Sequence, residues 1–166
     1  DTQVVATILS FDGTFPVEIL ASIGASCATH ISEIPFNGPT AAVMVGRVDG
    51  QYVANPSPEQ LENSEIEIIV AGTRKGLLMV EGEATLVTED VMLGALKFAH
   101  EQMQPIFDAQ DELREKSGNK PKREFIPYSV DEGFRAKVTD FAQPKIADAL
   151  ATRDKGERYN KYDAIK

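Results

Sequence analysis

The sequence predicts an α+β fold, with strands and one packed helix in its first half and helices alone in its second. Three observations carry this. Two β-rich pairs, residues 40–47 with Gln51–Ala54 and residues 65–72 with 77–83, are each bridged by a short polar turn. An Ala- and Ser-rich stretch before them repeats its apolar residues at helical spacing. After Thr88 only helical periodicity remains. Strands followed by helices imply an α+β domain joined to a helical one. The boundary is expected between residues 1–86 and 87–166.

Taken in order, residues 2–10 alternate and are β-branched, which reads as a first strand. A chain that starts directly in a strand is expected to begin inside a fold. Residues 11–14 (Phe-Asp-Gly-Thr) read as a turn, and Pro16 suits the first turn of a helix. Ile19, Leu20, Ile23, Cys27 and Ile31 then mark its expected buried stripe, and Ala21, Gly24, Ala25 and Ala28 would let it lie close on a sheet. Residues 34–39 are a loop with two prolines and a glycine. Asp49-Gly50 between apolar runs is the strongest short-range hairpin signal. Ser57 and Gln60 stand at capping-box spacing. The sheet is expected to be mixed. Thr88 is the predicted N-cap of a long helix with Glu89 and Asp90 in its first turn. Its buried face should carry Met92, Ala95, Leu96, Ala99, Met103, Ile106 and Leu113, and Pro105 should kink or end it. Residues 116–125 read as a loop. A second capping box at Ser129 and Glu132 should open a further helix, broken near Pro144, with helical pieces at 145–151 and 158–165.

Apolar content of 42% and charged content of 26% are ordinary for a soluble globular chain. The single cysteine excludes an internal disulfide framework and fits a reducing compartment, so a cytoplasmic location is expected. No apolar run is long enough to span a membrane, and no secretion leader is recognisable. The net charge of −9 is uneven: residues 1–87 hold 3 basic and 11 acidic side chains, residues 88–166 hold 14 and 15. An acidic half of this kind repels phosphate backbones at long range, so charge alone argues against nucleic acid.

Candidate sites are few. Glu65 and Glu67 are two apart on a predicted strand, so both carboxylates should project from one face, where a divalent ion could take oxygen ligands. The plainer reading is a solvated face with Ile66 and Ile68 inside, and Glu81 and Glu83 repeat the pattern. Cys27 and His30 lie one helical turn apart, with no further ligand nearby; core packing of Cys27 is the simpler reading. His100 and Glu101 are neighbours on a helix and do not face each other. Arg114, Lys116, Lys120, Lys122 and Arg123 form the one basic cluster, interleaved with acids. No phosphate loop, zinc pattern or nucleophile elbow is present.

A set of short pieces changes the functional reading: I-P-F-N-G-P at 34–39, V-G-R-V-D-G-Q-Y at 45–52, N-P at 55–56, V-A-G-T at 70–73, M-V-E at 79–81, M-L-G-A at 92–95 and F-A-H-E at 98–101. In this order and spacing the chain resembles the bacterial polynucleotide phosphorylases, over essentially all of residues 1–166. The resemblance implies two RNase PH-like domains joined by an all-helical domain and followed by RNA-binding modules, in a trimeric ring around a channel. It implies phosphorolysis of RNA from the 3′ end to nucleoside diphosphates, in mRNA degradation, assisted by Mg2+ or Mn2+. RNA, two further copies of the chain and proteins of an RNA-degradation complex would be the partners. Residues 1–86 would be the later part of the first RNase PH-like domain, and 87–166 the start of a truncated all-helical linker domain.

The same resemblance implies that this segment holds no catalytic residue and no cofactor of its own. A catalytic copy carries Asp-x-Asp-x-Lys on the strand leading into V-A-G; here the frame reads Glu65-Ile66-Glu67-Ile68-Ile69, with Ile69 in place of the lysine. It also carries a serine run at a helix N-terminus that holds the attacking phosphate. Here that place reads Pro16-Val17-Glu18: a donor is lost, a hydroxyl is lost and a carboxylate repels the anion. A vestigial half-site made of Pro16, Val17, Glu18, Glu65, Glu67 and Ile69 is expected, with structural and channel-wall roles left to the segment. Lys116, Lys120, Lys122 and Arg123 are the candidate RNA contacts. Two other readings compete: a non-enzymatic interaction module that offers an acidic sheet face to a basic protein, and a metal-dependent hydrolase built on Glu65 and Glu67.

Overall fold

The computed structural model describes residues 2–166, which divide along the chain into two compact units, one ending at Glu124 and the other starting at Phe125. The first unit holds helix α1 (Val17–Ile31), strands β1 (Ala41–Val48) and β2 (Gln51–Ala54), the short helix α2 (Pro58–Leu61), strands β3 (Ile66–Thr73) and β4 (Gly76–Ala84), and helix α3 (Glu89–Lys116). The second holds α4 (Glu132–Leu150) and α5 (Lys155–Ile165). The expected boundary at 86/87 therefore does not coincide with the division in space, because α3 is part of the sheet's own core.

The four strands run in the order β2-β1-β3-β4, and every neighbouring pair is antiparallel. The sheet is not mixed. The expected first strand is absent: residues 2–10 pair with no strand and are exposed. Both predicted hairpins form. Val48 pairs with Gln51 across Asp49 and Gly50, whose φ values of 49° and 77° are the left-handed pair a type I′ turn requires. Thr73 pairs with Gly76 across Arg74-Lys75, with an irregular register at Ala71/Gly72.

Alternation along the central strands builds one core on each sheet face. Ala41, Val43, Val45, Ile66, Ile68 and Val70 pack under Ala95, Ala99, Met103 and Phe107 of α3. On the other face Ala42 and Met44 meet Ile19 of α1, with Ile69 and Ala71 beside them. Gly94 lets α3 settle on the first face: Tyr52 Oη donates to the Val91 carbonyl at 2.7 Å, and a Cβ on Gly94 would lie 2.3 Å from Tyr52 Oη.

The predicted caps at Ser57 and Thr88 are observed: Ser57 and Gln60 close a full capping box, and the Thr88 side chain accepts from the Val91 N–H. α3 runs on through Pro105 rather than ending there, because its packing on the sheet holds both halves. Its buried face includes Phe107 and Gln110, and Leu113 is exposed. On α1, Ser26 and His30 are buried while Leu20 is 61% exposed, so the predicted stripe is rotated. In the second unit Asp131, not Ser129, caps α4 by accepting from the Phe134 N–H at 2.7 Å, and α4 continues through Pro144. No helix among the described residues is long and apolar enough to cross a membrane.

Candidate functional site

α1 begins where the sheet's second face opens, and this end of the helix is unusual. Pro16 is its N-cap, with extended φ and ψ of −60° and 114°, and makes no side-chain cap hydrogen bond. The first-turn N–H groups are among those every helix leaves without intrahelical partners. Glu18 supplies the only first-turn acid. Before it, an Asx turn in which Asp12 Oδ1 accepts the Thr14 N–H at 2.9 Å, with Gly13 at φ 80°, folds residues 11–15 back over the helix start.

A cavity of about 240 Å³ results, lined by Pro16, Val17 and Glu18 from the helix, Glu67 from β3, and apolar walls from Phe11, Phe15, Met44 and Leu61. Four of the six residues expected to form a vestigial site thus share one cavity. No basic side chain lines it, and both of its ionisable groups are carboxylates. Glu67 also sits directly opposite Glu83 in the β3–β4 register, which adds a third carboxylate to the same sheet face.

Ile69 and Glu65 lie elsewhere. Ile69 packs against the cluster of Ile19, Ala42 and Met44 under α1. Glu65 precedes β3, in a bend, and its carboxylate takes the Arg47 guanidinium. Glu65 and Glu67, read as carboxylates of one strand face, thus have separate surroundings: Glu65 is paired with Arg47, and Glu67 lines the cavity. Among the described residues no group of three or more His, Cys, Asp or Glu side chains is placed to hold a metal ion.

Of the basic cluster, Arg114 and Lys122 reach inward, while Lys116, Lys120 and Arg123 are exposed. Lys122 Nζ donates to the carbonyls of Thr29, His30 and Ser32 at 3.0, 2.9 and 2.9 Å. Arg114 also donates to the His30 carbonyl, and to Asn119 Oδ1 and the Lys120 carbonyl at 2.8 and 2.9 Å. Lys116 pairs with Glu112 at 2.5 Å, and Arg123 with Glu33 at 3.6 Å. Lys120 makes no side-chain hydrogen bond or ion pair among the described residues.

One constellation escaped the sequence reading. His30 is buried on α1, and its Nε2 donates to Asp111 of α3 at 2.9 Å, while its Nδ1 has no partner among the described residues. Asp111 also takes Arg74 at 2.6 Å, and Arg74 reaches Asp108 at 2.8 Å and lies 5.5 Å from the Phe107 ring centre. Burial pushes the Asp111 carboxyl up, but the bonds from Arg74 and His30 outweigh it and hold the group below the usual carboxylate range. The bonds to Asp111, foremost, and to Asp108 push Arg74 up. The network ties α1, the β3–β4 turn and α3 together. No sequence signal marks it, because His30 and Asp111 are 81 positions apart. Cys27, the expected neighbour of His30, takes no part in it; burial pushes its thiol up. His100 Nε2 donates to the Thr73 carbonyl at 3.0 Å, a bond that joins α3 to the end of β3.

Comparison with known proteins agrees with this architecture. Residues 38–102 match the model of the 3′ exoribonuclease family, domain 2. The chain is 58% identical over 159 residues to the polyribonucleotide nucleotidyltransferase of Bdellovibrio bacteriovorus, covering 96% of the chain and 23% of that protein. It is 48% identical to the one from Geobacter sulfurreducens over 165 residues, and 45% identical to the one from Anaeromyxobacter dehalogenans over 166. These cover 99% and 100% of the chain, and 24% and 23% of the relatives. The chain thus spans about a quarter of the length of the curated relatives it matches. It belongs to the polyribonucleotide nucleotidyltransferase family, as a segment that contains the second part of an RNase PH-like domain.

Proposed function

We propose that this chain is a non-catalytic segment of a phosphorolytic 3′-to-5′ exoribonuclease, one that shapes the ring and the RNA channel and leaves the chemistry to a second RNase PH-like domain. In the parent reaction an oxygen of inorganic phosphate attacks the phosphorus of the 3′-terminal phosphodiester. The bond to the penultimate 3′-oxygen breaks, and a nucleoside diphosphate leaves. The observation that carries the reading is the cavity at the start of α1. Glu18 and Glu67 line it, Pro16 stands where a cap would be, and no cation is present to receive an anion. An incoming phosphate would meet like charge where it needs donors.

In this reading residues 1–86 complete the first RNase PH-like domain, and 87–166 open the helical domain, even though α3 packs on the sheet. RNA is the substrate of the parent enzyme, whose other expected attributes are a homotrimeric ring, Mg2+ or Mn2+, degradation-complex proteins and a cytoplasmic setting. Of the basic cluster, Lys120 is the side chain most free to meet RNA, because Lys122 and Arg114 are engaged at α1.

The test is to incubate the chain with poly(A), phosphate and Mg2+ and to follow nucleoside diphosphate by chromatography, with phosphate titrated calorimetrically in parallel. Neither turnover nor phosphate binding is expected. Release of ADP, or saturable phosphate binding that Glu18→Gln and Glu67→Gln strengthen, would overturn the reading.

A second reading has one observation behind it: Glu67 and Glu83 pair across the strands on one exposed face, with Glu81 beside them. Like charges placed in register cost stability unless a basic partner meets them. On this reading the chain is an interaction module, and a Lys-rich partner peptide should bind more weakly after Glu83→Gln.

A further inference from the structure

The segment that follows α3 is tied back onto the far end of α1. Asn119, at φ 44°, turns the chain away from α3. Arg114 holds that turn through Asn119 Oδ1 and the Lys120 carbonyl. Lys122 then reaches the last turn of α1, and the Arg123 N–H donates to the Glu33 carbonyl at 2.7 Å. The first compact unit ends one residue later, at Glu124.

We propose that Lys122 is a clamp that holds residues 119–124 on the C-terminal end of α1, and so sets the point at which the chain leaves its first compact unit. Three features support it. The carbonyls of Thr29 and His30 belong to the helix end, where acceptors lack intrahelical donors and carry the negative end of the helix dipole. An ammonium has three donors, and Lys122 spends all three here, on Thr29, His30 and Ser32. The contact joins positions about 90 residues apart, so it closes a long loop of chain.

The test uses the whole 166-residue chain with Lys122→Met and Lys122→Arg. Amide hydrogen exchange is followed at Arg123, and cleavage by a glutamate-specific protease after Glu124. In Lys122→Met the Arg123 amide should lose protection at least about tenfold, with a similar gain in cleavage, as expected for losing charge-assisted bonds. Amides of β1 and β3 should keep their protection, and Lys122→Arg should retain most of the clamp. Unchanged Arg123 protection in Lys122→Met would overturn the proposal. So would a parallel loss at β1 and β3, which would make Lys122 a contributor to overall stability rather than a local clamp.

Discussion

The two ends of α1 solve opposite problems with opposite charge. At the N-terminal end the helix's own Glu18 complements the dipole, Pro16 offers no side-chain acceptor, and the cavity beyond holds another carboxylate, Glu67. At the C-terminal end cations from distant parts of the chain, Lys122 and Arg114, take the carbonyls directly. Both ends are therefore electrostatically filled by protein groups. The contrast shows that one helix can have its two ends filled by groups of opposite charge and of very different origin along the chain. A helix N-terminus attracts an anion only while nothing else occupies that role, and here a covalently attached carboxylate already does.

The largest expected effect comes from introducing a cation under α1. Ile69→Lys would place an ammonium among Ile19, Ala42 and Met44. It should cost about 2–3 kcal/mol of stability in urea titrations, since a buried charge is costly without a partner. A stable Ile69→Lys chain that also bound phosphate would break the contrast between the ends, because it would show that the N-terminal cavity lacks only its counter-charge.

At the other end, Arg114→Met removes donors to the His30 carbonyl, Asn119 and Lys120, and should cost about 1–2 kcal/mol by the same titration. Glu18→Gln should cost less, about 0.5 kcal/mol, because a first-turn acid at an exposed position contributes only modestly. If Glu18→Gln cost as much as Arg114→Met, the two ends would be equally dependent on their charges, and the asymmetry would fail.

The smallest effect is read in pH rather than in midpoint. Asp111, which binds His30 at the end of α1, has a folded pKa held below its ordinary 3.8. In acid the unfolded chain therefore takes up this proton first. The stability Asp111 contributes is complete above the unfolded pKa and is lost as pH falls through the lower folded value. Asp111→Asn should flatten the stability profile in that acid window.

The hairpins and caps were legible because each rests on local chemistry. Asp49-Gly50 dictates its turn, and Ser57, Gln60 and Thr88 dictate their helix starts within three residues. Residues 2–10 were misread as a strand for a physical reason. Alternation describes what a segment can do, but a strand needs an edge to pair with; this segment instead lies beside Leu20, Ala21 and Gly24 of α1 and forms a cavity of about 370 Å³ with them. Pro105 does not end α3, since one lost hydrogen bond need not end a helix whose two halves both pack on the sheet, and α4 also runs on through Pro144.

Of the candidate site, the chemistry of Pro16, Val17, Glu18 and Ile69 could be read directly, because offering no donor, no hydroxyl or no positive charge is a property of the side chain itself. That Pro16, Val17, Glu18 and Glu67 share one cavity, while Glu65 goes to Arg47 and Ile69 into the core, was decided only by folding. The same holds for Lys122 at the end of α1 and for His30 on Asp111, partners separated by 80 or more positions. Local chemistry chooses turns and caps because its partners are a few bonds away. Which distant charges meet depends on how the sheet and its two helices pack, and no spacing along the chain encodes that distance.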